Sequence, residues 1–275
     1  MRLRISNLAR SIDYYTTVLG LRVIERAGAR ASLGAHGDNR VLVALNEVPG
    51  IRSVRKRARL GLFHFAILLP DRPSLGRFVE HLANLGVAAG AGAHLVSDAC
   101  YLYDPAGLGI EVYADRPRET WRRNGRELLM ATDPVDIDDV VNSAGGTAWA
   151  GMPAGTVMGH VHLHVGDIAQ GAAFYSEALG FDRTAWNYPG ALFLSAGGYH
   201  HHLGTNIWAG PDALPAGEDE AGLSEWTMEF PDVPSIAAAA SSLAAAGHAI
   251  TRDGDDAIAA DPWGTRVRLR ARSVS

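Results

Sequence analysis

One cysteine, no apolar run long enough to cross a bilayer, and no surplus of positive charge: these shortages narrow what this 275-residue chain can be. Cys100 stands alone, so no intrachain disulfide framework can staple the fold. No stretch approaches the ~20 apolar residues of a membrane-spanning helix. Strand-like sequence follows Met1 directly, which leaves no room for a signal peptide. The net charge is −5, whereas a standing nucleic-acid partner demands a basic face. The one basic run, Arg52 to Arg59, reads as a solvated turn between strands rather than a polyanion site. The expectation is a soluble, cytoplasmic protein with no nucleic-acid or membrane partner.

What is present is ordinary in bulk, with 47% hydrophobic and 20% charged residues, enough to bury a sizeable core in one or two domains. The pattern inside that bulk is not ordinary, because the chain repeats itself. Leu3 to Leu21 lies over Leu163 to Phe181 at an offset of 160, with Leu, Ala, Tyr, Leu and Gly identical. Each copy reads as a short strand, a helix with one apolar face, and a glycine that can end it; Asn7 and Asp167 stand where a side chain can cap the helix. Gly61 to Pro73 lies over Gly222 to Pro234 at an offset of 161, each running into a helix (Leu75 to Leu85; Ile236 to Ala246). Both copies then reach an Asp-Pro-x-Gly turn, Asp104 to Gly107 and Asp261 to Gly264, followed by a β-rich strand. The chain is thus four related units in the order 1-2-linker-3-4. The linker, about Arg116 to Thr156, is polar, carries Pro and Gly, and has room for a short helix at Ile137 to Asn142.

Because the units are copies, a residue in one can be checked at the same register in the others. His64 opens its strand five residues before Leu69 and seven before Asp71; His160 stands in the same relation to Val165 and Asp167. A lone histidine at a strand start is ordinarily a satisfied core or edge residue. Two at one register of duplicated units reverse that reading. Unit 4 has Glu225 there, and in unit 1 the position falls before Met1. In the last strand of unit 2, Glu111 projects opposite to Ile110 and Val112, so it faces solvent or a barrel interior; unit 4 has Arg268 there, which cannot ligate a cation. Two neutral imidazoles and one carboxylate, with positions left open, form a facial triad suited to Fe(II) and usable by other divalent metals. His160, His162 and His164 alternate along one strand and share a face; His200 and His202 share a face that His201 opposes.

These residues resemble the vicinal-oxygen-chelate superfamily of glyoxalase I, extradiol ring-cleavage dioxygenases and the fosfomycin and bleomycin resistance proteins. The resemblance spans nearly the whole chain outside the linker and is nearest to the two-domain catechol 2,3-dioxygenase type. It is carried by 62–72, 109–118, 159–165 and 197–202. Gly92-Ala-His94, Tyr101, Asp104-Pro-Ala-Gly107 and Glu111 are similar to the extradiol signature, departing only in Cys100 where an aliphatic residue is expected. The resemblance implies an α+β fold of four βαβββ modules in two domains, 1–115 and 157–275 about the linker 116–156, with half-barrel sheets closed around a metal site.

It further implies a divalent metal on His64, Glu111 and His160, foremost Fe(II), with Mn(II), Zn(II) or Ni(II) as alternatives, and a small aromatic diol and O2 as reactants. His94, His162 and Tyr103 would bind the substrate. Tyr101 and the unit 3 histidines, His202 ahead of His200, would carry acid–base work. One departure bears on architecture, since extradiol enzymes draw all three ligands from one pair of units. Here unit 2 must pair with unit 3, within one chain or across a homodimer, leaving units 1 and 4 as a degenerate pair. A glyoxalase-like isomerase or thiol transferase, and a ligand-sequestering protein without turnover, are the rival expectations.

Overall fold

A computed structural model describes residues 1–55 and 58–272. Among the described residues two curled sheets dominate, one of eight strands and one of eight with a short ninth, Leu214–Pro215, beside Arg59 and Leu60. Unit 1 supplies β1 (Arg2–Ile5), α1 (Leu8–Thr17), β2 (Arg22–Ala27), β3 (Arg30–Gly34) and β4 (Val43–Glu47); unit 2 supplies β5 (Arg59–Leu68), α2 (Arg72–Asn84), β6 (Gly90–Ala93), β7 (Ser97–Tyr103) and β8 (Gly109–Asp115). The linker carries α3 (Ile137–Asn142), where the sequence predicts it. Unit 3 gives β9 (Val157–His164), α4 (Ile168–Ala172), β10 (Asp182–Ala185), β11 (Ala191–Ser195) and β12 (Leu203–Asn206); unit 4 gives β13 (Gly222–Phe230), α5 (Val233–Ala245), β14 (Thr251–Asp253), β15 (Asp256–Ala260) and β16 (Arg266–Ala271). Each unit is βαβββ, and in each the first strand runs parallel to the fourth.

The helices start where capping chemistry places them. Asn7 and Asp167 accept hydrogen bonds from Arg10 N and Gln170 N, as the register implies. α2 and α5 begin three residues before the positions expected from apolar spacing. Asp71 and Asp232 cap them, and Pro73 and Pro234 sit in the first turn, where the missing N–H costs nothing. The helix of unit 3 widens after α4 into a π-helical turn at Ala173–Ala178, which no local signal announces.

The sheets join the units across the halves. One runs β10-β11-β12-β9-β5-β8-β7-β6, so units 3 and 2 share it within one chain; the other runs β14-β15-β16-β13-β1-β4-β3-β2 and joins units 4 and 1. The seams are antiparallel, β9 on β5 with His162 opposite His64, and β13 on β1 with Glu225 opposite Arg2. The hydrophobic cores follow the halves instead. One gathers Leu3, Tyr15, Phe65 and Phe78 from the first half, the other Leu163, Phe174, Trp226 and Leu269 from the second. Sheets that cross the halves and cores that do not lock the two halves together.

The basic run does not stand free at its described ends. Arg52 pairs with Asp219, and Arg59 grips Glu220 through two hydrogen bonds. Lys56 and Arg57 lie outside the described residues, so the expectation of a solvated turn there falls outside them too. Among the described residues no helix is long and apolar enough to cross a membrane.

Candidate active site

The seam between β5 and β9 brings the three registered residues together. Glu111 Oε2 lies 3.0 Å from His64 Nε2 and 3.2 Å from His160 Nε2, and the three residues are buried. Their ligand atoms all fall within 4.8 Å of one another. β8 runs parallel beside β5, so Glu111 points to the face from which His64 projects. That close approach needs Gly109, where a Cβ would sit 2.1 Å from the Phe63 carbonyl oxygen.

Burial pushes the His160 imidazole down to about 4, against the pull of Glu111. Burial also favours a neutral carboxyl at Glu111, but His160 and then His64 outweigh it and hold the group well below the usual carboxylate range. A neutral imidazole beside an ionised carboxylate is the protonation state that ligation requires. His64 Nε2 is buried yet makes no hydrogen bond, despite lying 3.0 Å from Glu111. A nitrogen that sits beside a carboxylate oxygen without an aligned hydrogen bond suits a shared third point better than it suits the carboxylate. The donor set therefore fits a divalent cation.

His64 and Glu111 of this set line a cavity of about 290 Å³. His94, Tyr101 and His162 line it, as the resemblance implies. His94 Nδ1 donates to the Ala131 carbonyl, which leaves Nε2 to accept from the Tyr101 hydroxyl at 2.5 Å. Leu95, in the tight turn after His94, takes a left-handed φ of 66°, a strained position that fixes the hairpin presenting His94. His162 keeps its buried Nε2 without a partner, and it fits because position 204 is Gly, where a Cβ would meet its ring at 2.9 Å.

Besides His160, three expected residues are absent from the cavity lining. Tyr103 is half-buried on β7 but is absent from its lining, as are His200 and His202. Of the adjacent histidines it is His201 that lines it, 4.1 Å from the His160 ring. Residues 196–202 are an irregular loop, so strand alternation does not decide which histidine turns inward. His202 stacks on Tyr199 and accepts from Ala196 N. His200 stands behind His201: its Nε2 is 2.9 Å from Asp115, and its Nδ1 is 2.7 Å from His201 Nδ1. A carboxylate only accepts, so His200 Nε2 carries the proton and its Nδ1 accepts from His201 Nδ1–H. The remaining nitrogen of His201, Nε2, is then an unprotonated acceptor.

Sequence reasoning missed the far wall of the cavity. It is built by Phe63, Phe193, Tyr188 and Trp208, with Met130, Ala131 and Thr132 from the linker. The linker is no mere spacer: Glu127 accepts from the N–H groups of Trp186 and Asn187, and Ala93 bridges Asp133. Nothing in the repeat register marks these positions, because the linker has no second copy.

Comparison with known proteins places the chain in a family. The chain is 44% identical over 252 residues to a catechol-2,3-dioxygenase of Bacillus subtilis (strain 168), covering 90% of this chain and 88% of that one. A solved Bacillus subtilis structure provisionally described as a dioxygenase shares the fold, with a TM-score of 0.67 at 14% identity over 100% of this chain and 84% of that chain. Glyoxalase I from Zea mays does so with a TM-score of 0.58 at 18% identity, covering 98% and 89%. The family model described as "Glyoxalase/Bleomycin resistance protein/Dioxygenase superfamily" matches residues 1–112 and 157–269, and with both halves matched the chain belongs to that superfamily.

Proposed function

We propose that this protein is an extradiol ring-cleavage dioxygenase that holds a divalent metal, Fe(II), on His64, Glu111 and His160 and opens a catechol-like vicinal diol. The observation that carries the reading is the buried two-histidine, one-carboxylate set facing a cavity that also presents His94, Tyr101 and His201. The 44% identity to a catechol-2,3-dioxygenase supports the same chemistry. Glu111 is the one acidic residue lining the cavity among the described residues, whereas glyoxalase-type isomerisation ordinarily wants a second carboxylate ligand. The reaction breaks the ring C–C bond beside the diol and adds both atoms of O2, so no external reductant is consumed.

When bound, the metal supplies a Lewis-acidic, redox-active centre at which the diol oxygens and O2 meet. The protein's residues do the rest. Three ligands leave open positions for a two-oxygen chelate. The Tyr101 hydroxyl and His94 Nε2, paired at 2.5 Å, hold one edge of the diol and pass a proton between them. His201 Nε2 accepts a hydrogen bond from the substrate as the ring opens, and His200 with Asp115 fixes the tautomer that leaves that nitrogen unprotonated. The apolar wall excludes bulk water from the reacting carbons.

The test is metal analysis of anaerobically purified protein with ring-cleavage assays on a small catechol panel, repeated for His64→Ala, Glu111→Ala and His160→Ala. Each variant is expected to lose bound metal and activity. Wild-type metal content and turnover in all three would sink the assignment.

A further inference from the structure

Beyond the diol and the metal, the far wall of the cavity speaks to what else the substrate carries. We infer that the diol accepted here bears an uncharged, apolar ring substituent, which packs against an aromatic wall opposite the metal ligands. The inference rests on the dioxygenase reading for the diol itself.

The wall begins one ring away from the ligands. The His162 ring is 5.0 Å from His64, 5.5 Å from Trp208 and 5.6 Å from Phe193. Tyr188 completes the surface, 5.6 Å from Phe193 and 6.2 Å from Trp208, and Phe63 lies 5.7 Å from Trp208. A diol seated on His64, Glu111 and His160 directs a ring substituent past His162 onto these faces. Met130, from the linker, adds a flexible apolar side chain to the same cavity.

Charge decides what that substituent can be. No Lys or Arg lines the cavity among the described residues, and its one formal charge is the Glu111 carboxylate. A carboxylate packed against the aromatic wall, beyond the metal ligands, would lose its water with no Lys or Arg to pair with. An alkyl group gains burial against Trp208, Phe193 and Tyr188. The buried His162 Nε2 has no hydrogen-bond partner, and it suits a neutral hydrogen-bonding edge of the substrate.

The experiment compares 4-ethylcatechol with 3,4-dihydroxybenzoate, which share ring position and differ in charge, on the Fe(II)-loaded full-length protein under O2. The expected result is a kcat/KM at least about tenfold higher for 4-ethylcatechol. Met130→Arg, which brings a cation to the cavity, is expected to shift that ratio at least about tenfold toward the acid. Equal or reversed preference in the wild type would overturn the inference. Cleavage of neither diol would count against the dioxygenase reading instead. In that case anaerobic titration calorimetry of the same two diols still decides: tighter binding of 4-ethylcatechol sustains the inference, and equal or weaker binding overturns it.

Discussion

The Tyr15 hydroxyl donates to the Asp104 carboxylate at 3.1 Å, joining the first helix of the chain to the Asp-Pro-x-Gly turn of the next unit. Tyr175 does the same to Asp261 at 2.8 Å in the second half. Both tyrosines and both aspartates are buried, and each aspartate also accepts from backbone N–H groups of its own turn. Removing either hydroxyl leaves a buried carboxylate one donor short. Tyr15→Phe and Tyr175→Phe should each destabilise the fold by about 1–3 kcal/mol, read as a lower urea midpoint at unchanged slope. No change in either variant would show that the turn's backbone donors suffice.

Asp104 also gives a pH dependence. Burial pushes its carboxyl up from 3.8 to about 6, against the hydrogen bonds it accepts. Its folded pKa lies above the unfolded one, so the stability this group contributes is fully present below pH 3.8 and is lost as pH rises through about 6. Asn at this position does not titrate. The stability gap between wild type and Asp104→Asn should therefore narrow by about 2 kcal/mol between pH 4 and pH 7. A gap that widens over this interval would mean that the turn and Tyr15 hold the carboxyl below its ordinary value instead.

Glu127 ties the linker to the loop that carries Tyr188, accepting from Trp186 N and Asn187 N at 2.7 Å each and from the Asn187 side chain. Glu127→Ala should free that loop, raising KM several-fold with a smaller effect on kcat, because the ligand set is untouched. Hydrogen exchange at residues 186–188 should quicken in parallel. Unaltered exchange there would refute the tether.

In the other sheet the registered positions hold an ion pair. Arg268 donates to Glu225 at 2.6 Å and to Asp256 at 2.9 Å, where the metal-facing half has Glu111 and His64. Arg268→Met would leave the buried Glu225 carboxylate only the half-exposed Arg2 at 3.3 Å and Arg266 at 3.6 Å, at a cost of about 1–3 kcal/mol. The added change Glu225→Gln should restore part of it, while metal content stays at the wild-type level. Loss of metal in Arg268→Met would show that the two sheets are coupled.

The site draws on both halves, so neither half should suffice alone. Residues 1–115 keep His64 and Glu111 but expose β5 as an open edge without its partner β9, and residues 157–275 keep only His160. Both fragments should fail to retain Fe(II) or Mn(II) on dialysis. Full affinity in the first half alone would disprove the shared site.

The sequence by itself determined the units, their helix caps and the ligand register, because these are short-range chemistry written twice. Asn7 and Asp167, the paired Asp-Pro-x-Gly turns, and His64 matched to His160 can each be read from a second copy. The pairing of unit 2 with unit 3 was legible only because a ligand set split between them required it. That it happens within one chain is a fact of strand docking, which no local pattern encodes. The resemblance favoured His202 for acid–base work, but an irregular loop turns His201 toward the cavity instead. Tyr103, which the resemblance implies at the substrate, sits half-buried on β7 outside the cavity lining. The aromatic wall and the Glu127 tether were decided by tertiary structure alone. They come from single-copy segments, whose position depends on what the two halves leave open between them.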